Sequence, residues 1–167
     1  MEKVKNKPYL QVIVDECDND FKKKKKIIEV LTNTNPAVPY LTKYVIIKAC
    51  GTLEQAFKIM ISDFSCVGQS LQVKKFIDIS FRESSINPNL ENIHTALKKF
   101  DVQWNTNFKG YLNEDLDIAR IKSSITSLNN ARNQFAHGGN PTVTFSDVKD
   151  YFDDAKKIIN YLDLSLI

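Results

Sequence analysis

The sequence predicts an all-α fold, an up-and-down bundle of about five to six helices in a single domain, and three observations predict it. Apolar residues recur at intervals of three and four through most of the 167-residue chain, which is the spacing of one helical face. Gly, Pro, Asn and Ser gather where that spacing lapses, around 32–36, 84–89 and 138–141. The alternating stretch Tyr9-Leu10-Gln11-Val12-Ile13-Val14 has no second convincing strand to pair with.

In chain order, residues 1–17 read as an N-terminal arm, extended or helical, against a helical domain of residues 18–167. Asp18-Asn19-Asp20 offer N-caps for a first helix over about 19–32, with Phe21, Ile28 and Leu31 facing inward. That helix carries Lys22, Lys23, Lys24, Lys25 and Lys26. Five consecutive lysines wrap all round a helix, so most are solvated. They are also the first electrostatic candidate for a phosphate backbone. Thr32-Asn33-Thr34-Asn35-Pro36 breaks the helix, and Pro39 marks the start of the next. The second helix, about 40–63, is the most apolar: Tyr44, Val45, Ile46, Ile47, Cys50, Leu53, Phe57, Met60, Ile61 and Phe64 cover more than one face, so it should be central. Glu54 interrupts this surface. It reads either as an i,i+4 partner of Lys58 or as a carboxylate serving Arg132 or His137 from across the bundle.

A third helix, about 69–83, carries Leu71, Val73, Phe76, Ile77 and Phe81 and ends in Ser84-Ser85-Ile86-Asn87-Pro88. The fourth starts near Asn89 and runs through Leu90, Ile93, Leu97 and Phe100. Its Glu91 and His94 match half of a di-iron pattern. Such sites need a second Glu-x-x-His and two further glutamates in one core, and His137 has Gln134 three residues before it, so no metal is expected. Residues 101–115 read as a polar connector whose Trp104, Phe108 and Tyr111 pin a loop to the core or stack on unpaired bases. The last helix, capped by Thr144 or Ser146 and reaching about 163, has Val148, Phe152, Ala155, Ile159 and Leu162 at stripe spacing.

Between these lies Leu116 to Asn140, the stretch that carries chemistry. Ile118, Ile121, Ile125, Leu128 and Phe135 form the stripe of a helix capped by Asp115 or Asp117, and Gly138-Gly139 stops it. Arg132 falls in phase with the stripe. A guanidinium cannot stay unpaired in a core, so this one should emerge into a cleft, an interface or an anion site. His137 follows five residues later, and Asn133 lies one turn before it, close enough to orient the imidazole. Five residues amount to about 140° of rotation on an ideal helix, so Arg132 and His137 of one helix converge only if it unwinds near Ala136. A two-fold dimer would instead bring two such helix ends together around one phosphate.

The composition narrows the chemistry. A net charge of +3 and a sequence pI near 8.6 permit contact with a phosphate backbone. Cys17, Cys50 and Cys66 are odd in number and lack metal-ligand spacing, which suits reduced thiols in the cytoplasm; Cys50 reads as a small core residue. The amino terminus has no apolar h-region, and no run approaches the roughly 18 apolar residues that span a bilayer, so no membrane partner is expected. Phosphate-binding glycine loops, a nucleophile elbow and Cys/His metal clusters are all missing from the sequence. Histidine and arginine without a metal site point to phosphate chemistry in which the substrate brings its own nucleophile, as RNA does with its 2′-hydroxyl.

Arg132-Asn133-Gln134-Phe135-Ala136-His137-Gly138 resembles the R-x(4-6)-H signature of the HEPN superfamily (higher eukaryote and prokaryote nucleotide-binding domains), and most of all its RiboL-PSP branch. The helix from Tyr44 to Glu54 is similar to the early family helix that carries an acidic residue after a hydrophobic one. The resemblance covers about residues 18–165 in helix order. It implies an all-helical, usually dimeric domain, commonly a metal-independent endoribonuclease. On that reading Arg132 and His137 are catalytic, Asn133 and Glu54 support them, and Lys22 to Lys26 contact RNA. No cofactor is expected; the partners are RNA, a second copy of the chain and an antitoxin or regulatory protein, in the setting of a toxin or phage-defence effector. Two alternatives stay open: a non-catalytic HEPN-like module that binds nucleotide or RNA or docks a partner, and a structural helical dimer with Arg132 in an interfacial salt bridge.

Overall fold

The computed structural model describes residues 8–32 and 35–167. Seven helices and no strand occur among them: α1 (Pro8–Leu31), α2 (Val38–Ser65), α3 (Leu71–Ile77), continued by a π-helical turn Asp78–Arg82, α4 (Leu90–Phe100), α5 (Val102–Glu114), α6 (Ile118–Ala136) and α7 (Phe145–Ser165). α2 and α7 pack on each other at the centre. α6 lies against both, α1 covers α2, and α5 runs along α7.

The two central helices follow from their sequences. Val45, Ile46, Ala49, Leu53, Phe57, Met60 and Ile61 of α2 are all fully buried, on more than one face. In α7 the expected stripe Val148, Phe152, Ala155, Ile159 and Leu162 is also fully buried. Thr144 caps that helix: its hydroxyl accepts from the Asp147 N–H at 3.1 Å while Asp147 accepts from the Thr144 N–H at 2.8 Å, a reciprocal box. Phe21 of α1 lies between Phe145 and Phe152, with ring centroids 5.6 and 5.5 Å away, and so fastens α1 to α7.

Three elements differ from the sequence expectation. The first helix begins at Pro8 instead of near residue 19, and Leu10, Val14, Cys17 and Phe21, spaced by four, three and four, are buried along it. The stretch read as an arm is therefore, from residue 8 on, continuous with α1; residues 1–7, Asn33 and Thr34 lie outside the described residues. The polar connector at 101–115 is a helix, α5, which raises the helix count to seven. Asp101 caps it by accepting from the Gln103 N–H at 2.6 Å, and Trp104, Phe108 and Leu112 bury one side of it. The Trp104 indole N–H donates to the Ile167 carbonyl at 3.3 Å, so the aromatic residues there are core anchors. In the third helix Leu71, Val73 and Phe76 stay exposed. The π turn inserts one extra residue, which carries Phe81 onto Phe57 and Phe100. Among the described residues no helix is long and apolar enough to cross a membrane.

Candidate functional site

α6 ends at the candidate site, and its end is built by glycine. Gly138 takes φ +80°, its N–H bonds the Phe135 carbonyl at 3.0 Å, and the Gly139 N–H bonds the Gln134 carbonyl at 2.8 Å, the paired bonds of a Schellman turn. A Cβ on Gly139 would stand 2.9 Å from the Gln134 oxygen, so a side chain there would force the turn apart. This turn leaves His137 as the C-cap just past the last helical residue, exposed to solvent, and its imidazole has no hydrogen-bond partner among the described residues.

Arg132 is half-buried, and its charge is felt at the Cys50 thiol of α2. Burial pushes the Cys50 thiol up to about 12, against the pull of the Arg132 charge and with a smaller push from Glu54. The Arg132 Nη1 donates to Asn133 Oδ1 at 3.2 Å, and the Asn87 Nδ2 donates to the same oxygen at 3.3 Å. Asn92 holds the Asn87 carbonyl at 2.8 Å. The Asn133 side chain thus serves Arg132 and not His137, although it was expected at the imidazole. Only its backbone reaches the histidine, accepting from the His137 N–H at 3.1 Å.

The three arginines of the chain divide sharply. Arg82 binds Asp63 at 2.5 Å and Asp78 at 2.7 Å; Arg120 binds Asp154 at 2.6 Å and Asp117 at 2.8 Å. Arg132 has no carboxylate within ion-pair distance among the described residues. Glu54 does not supply one. Its Oε1 accepts from Lys58 Nζ and from the Ile86 N–H, both at 3.1 Å, so the i,i+4 reading of that residue is the one the structure contains. Lys58 also donates to the Ser84 carbonyl. Glu54 and Lys58 together staple the 83–89 segment to α2, and that segment delivers Asn87 to Asn133.

Within one chain Arg132 and His137 share no hydrogen bond, and α6 stays α-helical through Ala136 without the unwinding that would let them meet. Lys43 of α2 reaches the same end of the bundle: its Nζ donates to Asn140 Oδ1 at 2.7 Å and lies 5.4 Å from the centroid of the Phe135 ring. From the lysine run, Lys22, Lys23, Lys25 and Lys26 are exposed, while Lys24 lies 4.8 Å over the Tyr44 ring. Lys25 lines a cavity together with Lys43 and Asn140, so part of the run shares an end of the molecule with His137.

His94 stands apart from this. Its Nδ1 is 2.8 Å from Asn105 Oδ1, its ring packs edge-on against Phe108, and burial lowers its pKa. Among the described residues no three His, Cys, Asp or Glu side chains gather in a metal-holding group. Sequence reasoning missed Asn87 and Lys43. Asn87 sits in a segment that signals only a helix break, and Lys43 is a polar residue on the most apolar helix, the one trace that could have flagged it.

A family model described as RiboL-PSP-HEPN matches residues 13–167, which takes in α1 from Ile13 and every later helix. Comparison with curated proteins and with solved structures gives no match. On the strength of a match over nearly its whole length, with an all-helical fold whose sixth helix carries Arg132 and terminates at His137, the chain belongs to the RiboL-PSP-HEPN family.

Proposed function

We propose that the protein is a metal-independent endoribonuclease whose active site is completed by a second copy of the chain. The observation that carries this reading is the Arg132 guanidinium: half-buried, bonded to Asn133, without a neutralising carboxylate, on a helix that ends in an exposed His137. A half-buried cation without a carboxylate partner is a site for an anion, and phosphate suits a guanidinium fork. One imidazole takes the proton of the RNA 2′-hydroxyl, and the 2′-oxygen attacks the adjacent phosphorus. Arg132 stabilises the negative charge that builds on the phosphorane oxygens, and a second imidazole protonates the departing 5′-oxygen. The products are a 2′,3′-cyclic phosphate and a 5′-hydroxyl, and DNA is inert because it lacks the nucleophile. Two histidines are needed for the two proton transfers and one chain offers one at this site, which argues for a two-fold dimer with a composite centre. A toxin or phage-defence effector, restrained by an antitoxin or regulatory protein, is the biological setting proposed for such an activity.

The test is RNA incubated with purified protein in EDTA, wild type beside His137→Ala. Cleavage that survives chelation and falls by about 10²- to 10⁴-fold in the variant is the expected outcome; equal cleavage by both proteins overturns the assignment. Sedimentation at the assay concentration joins it, because full activity from a monomer removes the composite site. A second reading, a non-catalytic partner-docking module, is favoured by one observation: Leu71 and Phe76 of α3 are 80% and 70% exposed. That reading expects His137→Ala to leave partner binding and phenotype intact.

A further inference from the structure

Beyond the Schellman turn the chain runs past Asn140 into the start of α7, and here four helix ends meet. The last turns of α1, the first turns of α2, and residues 140–146 enclose a cavity of about 890 Å3, within the roughly 300–1,000 Å3 of small-ligand sites. Its walls are mostly apolar, from Ile28, Pro39, Ile46 and Phe145, and Lys25, Lys43 and Asn140 also line it. Glu29 is the one carboxylate among the described lining residues, and it is paired with Lys25 at 3.9 Å. Apolar walls with a few hydrogen-bonding groups and cations suit an unstacked nucleobase attached to a phosphate. Nothing in the nuclease mechanism uses this space.

Its position matters as much as its lining. Asn140 lies three residues past His137, a span of at most about 10 Å of chain. Lys43 binds Asn140 and stacks over Phe135 of the motif helix, so the groove and the helix end are joined into one unit. Building on the nuclease reading, we infer that this groove receives the base of a nucleotide flanking the scissile phosphate, with Lys43 beside its phosphate, and that it sets which base is preferred there.

The experiment uses full-length His137→Ala protein, which does not consume its ligand, and fluorescent five-residue oligomers of A, U and C. One oligomer should bind best, and Ser146→Trp, an exposed position on the groove wall, should weaken it about tenfold and flatten the preference among the three. Thr142→Trp serves as a second filling variant should the first melt early by circular dichroism. Lys43→Ala should weaken all three oligomers alike and lower the salt dependence of binding by about one phosphate contact. Unchanged affinity and unchanged base preference in both folded Trp variants overturns the inference. Wild-type cleavage measured in parallel separates the two claims: cleavage with no effect of groove filling sinks the groove alone, whereas base-selective binding abolished by groove filling, without wild-type cleavage, supports the groove and sinks the nuclease.

Discussion

Arg120 and Arg132 sit twelve residues apart on the same helix, and the structure treats them in opposite ways. Arg120 bridges Asp117 and Asp154, and Asp154 is further held by the Ser124 hydroxyl at 2.7 Å. The neighbouring ends of α6 and α7 add Lys157 with Asp115 and Asp117, and Lys156 with Asp18 and Asp153. Charges at this end are matched, and the pairs of Arg120 with Asp154, Lys156 with Asp18, and Lys157 with Asp115 and Asp117 tie different elements together. At the other end Arg132 receives a neutral amide oxygen where Arg120 receives two carboxylates. An amide orients a guanidinium without cancelling its charge, so the field remains available to a ligand. On the proposed reading, the contrast separates a cation built into the fold from one kept for a phosphate.

Exchanging the two losses gives the strongest test of that contrast. Arg132→Ala should lower cleavage by about 10²- to 10³-fold, the usual effect of removing a donor aimed at transition-state charge, and leave the melting temperature near that of wild type. Arg120→Ala should reverse the pattern, with turnover retained and stability reduced. Asp154 is 1% exposed and would lose its charged partner. The loss is put at about 1–2 kcal/mol, below the roughly 3–5 kcal/mol of a fully buried pair because Arg120 is half in solvent. Turnover paired with melting curves on both variants decides it; a large stability loss from Arg132→Ala would make that residue one more structural arginine.

Asn87 offers a finer change at the ligand-ready end. It shares the Asn133 oxygen with Arg132, and its own Oδ1 is buried without a partner among the described residues. Asn87→Ala removes one of the two bonds fixing the Asn133 amide and should cut kcat about tenfold with little change in KM, as expected for a slight misplacement of a charge that acts in the transition state. Asn87→Asp is more telling. It replaces the donor on the Asn133 oxygen by a carboxylate, which repels that oxygen and stands near the guanidinium that shares it, so the Arg132 charge is offset, as that of Arg120 is, and activity should fall further than in the alanine variant. Activity equal to wild type in Asn87→Asp would show that the neutral surroundings of Arg132 are irrelevant.

The sequence carried much of this arrangement and hid particular parts of it for physical reasons. The stripe from Val148 to Leu162 and the Gly138-Gly139 stop are local patterns, and both are found as read. α5 was hidden because Asn105, Asn107, Gly110 and Asn113 are poor helix formers that masked the Trp104-Phe108-Leu112 spacing; burial of those three overrides propensity. The start of α1 was hidden because the Tyr9–Val14 alternation reads as a possible strand and Asp18-Asn19-Asp20 read as N-caps, whereas Leu10, Val14 and Cys17 bury one helical face. At the site, the in-phase Arg132 announced a half-buried cation. What orients it did not show: Asn87 is 46 residues from the Asn133 whose oxygen it shares with Arg132, and a single long-range amide contact leaves no periodic trace. Asn133 was assigned to the wrong neighbour because helical spacing gives adjacency on a face but not which way an amide turns.

Acid titration separates the two ends by a smaller effect. The Tyr161 hydroxyl, followed by the Asp117 N–H and Lys157, holds the Asp115 carboxyl at about 2 against an ordinary 3.8, although burial works in the other direction. A carboxylate whose pKa is depressed by folding stabilises the native state above its unfolded value, and that contribution fades as pH falls from about 4 towards about 2. Asp115→Asn should therefore melt below wild type near neutral pH and approach it as the solution is acidified through that window. Arg132→Ala should track the wild-type acid profile throughout, because no carboxylate among the described residues depends on Arg132 for its charge. If melting curves recorded across that range show Arg132→Ala converging on wild type as Asp115→Asn does, then Arg132 has a carboxylate partner in solution, and the distinction between the matched end and the ligand-ready end fails.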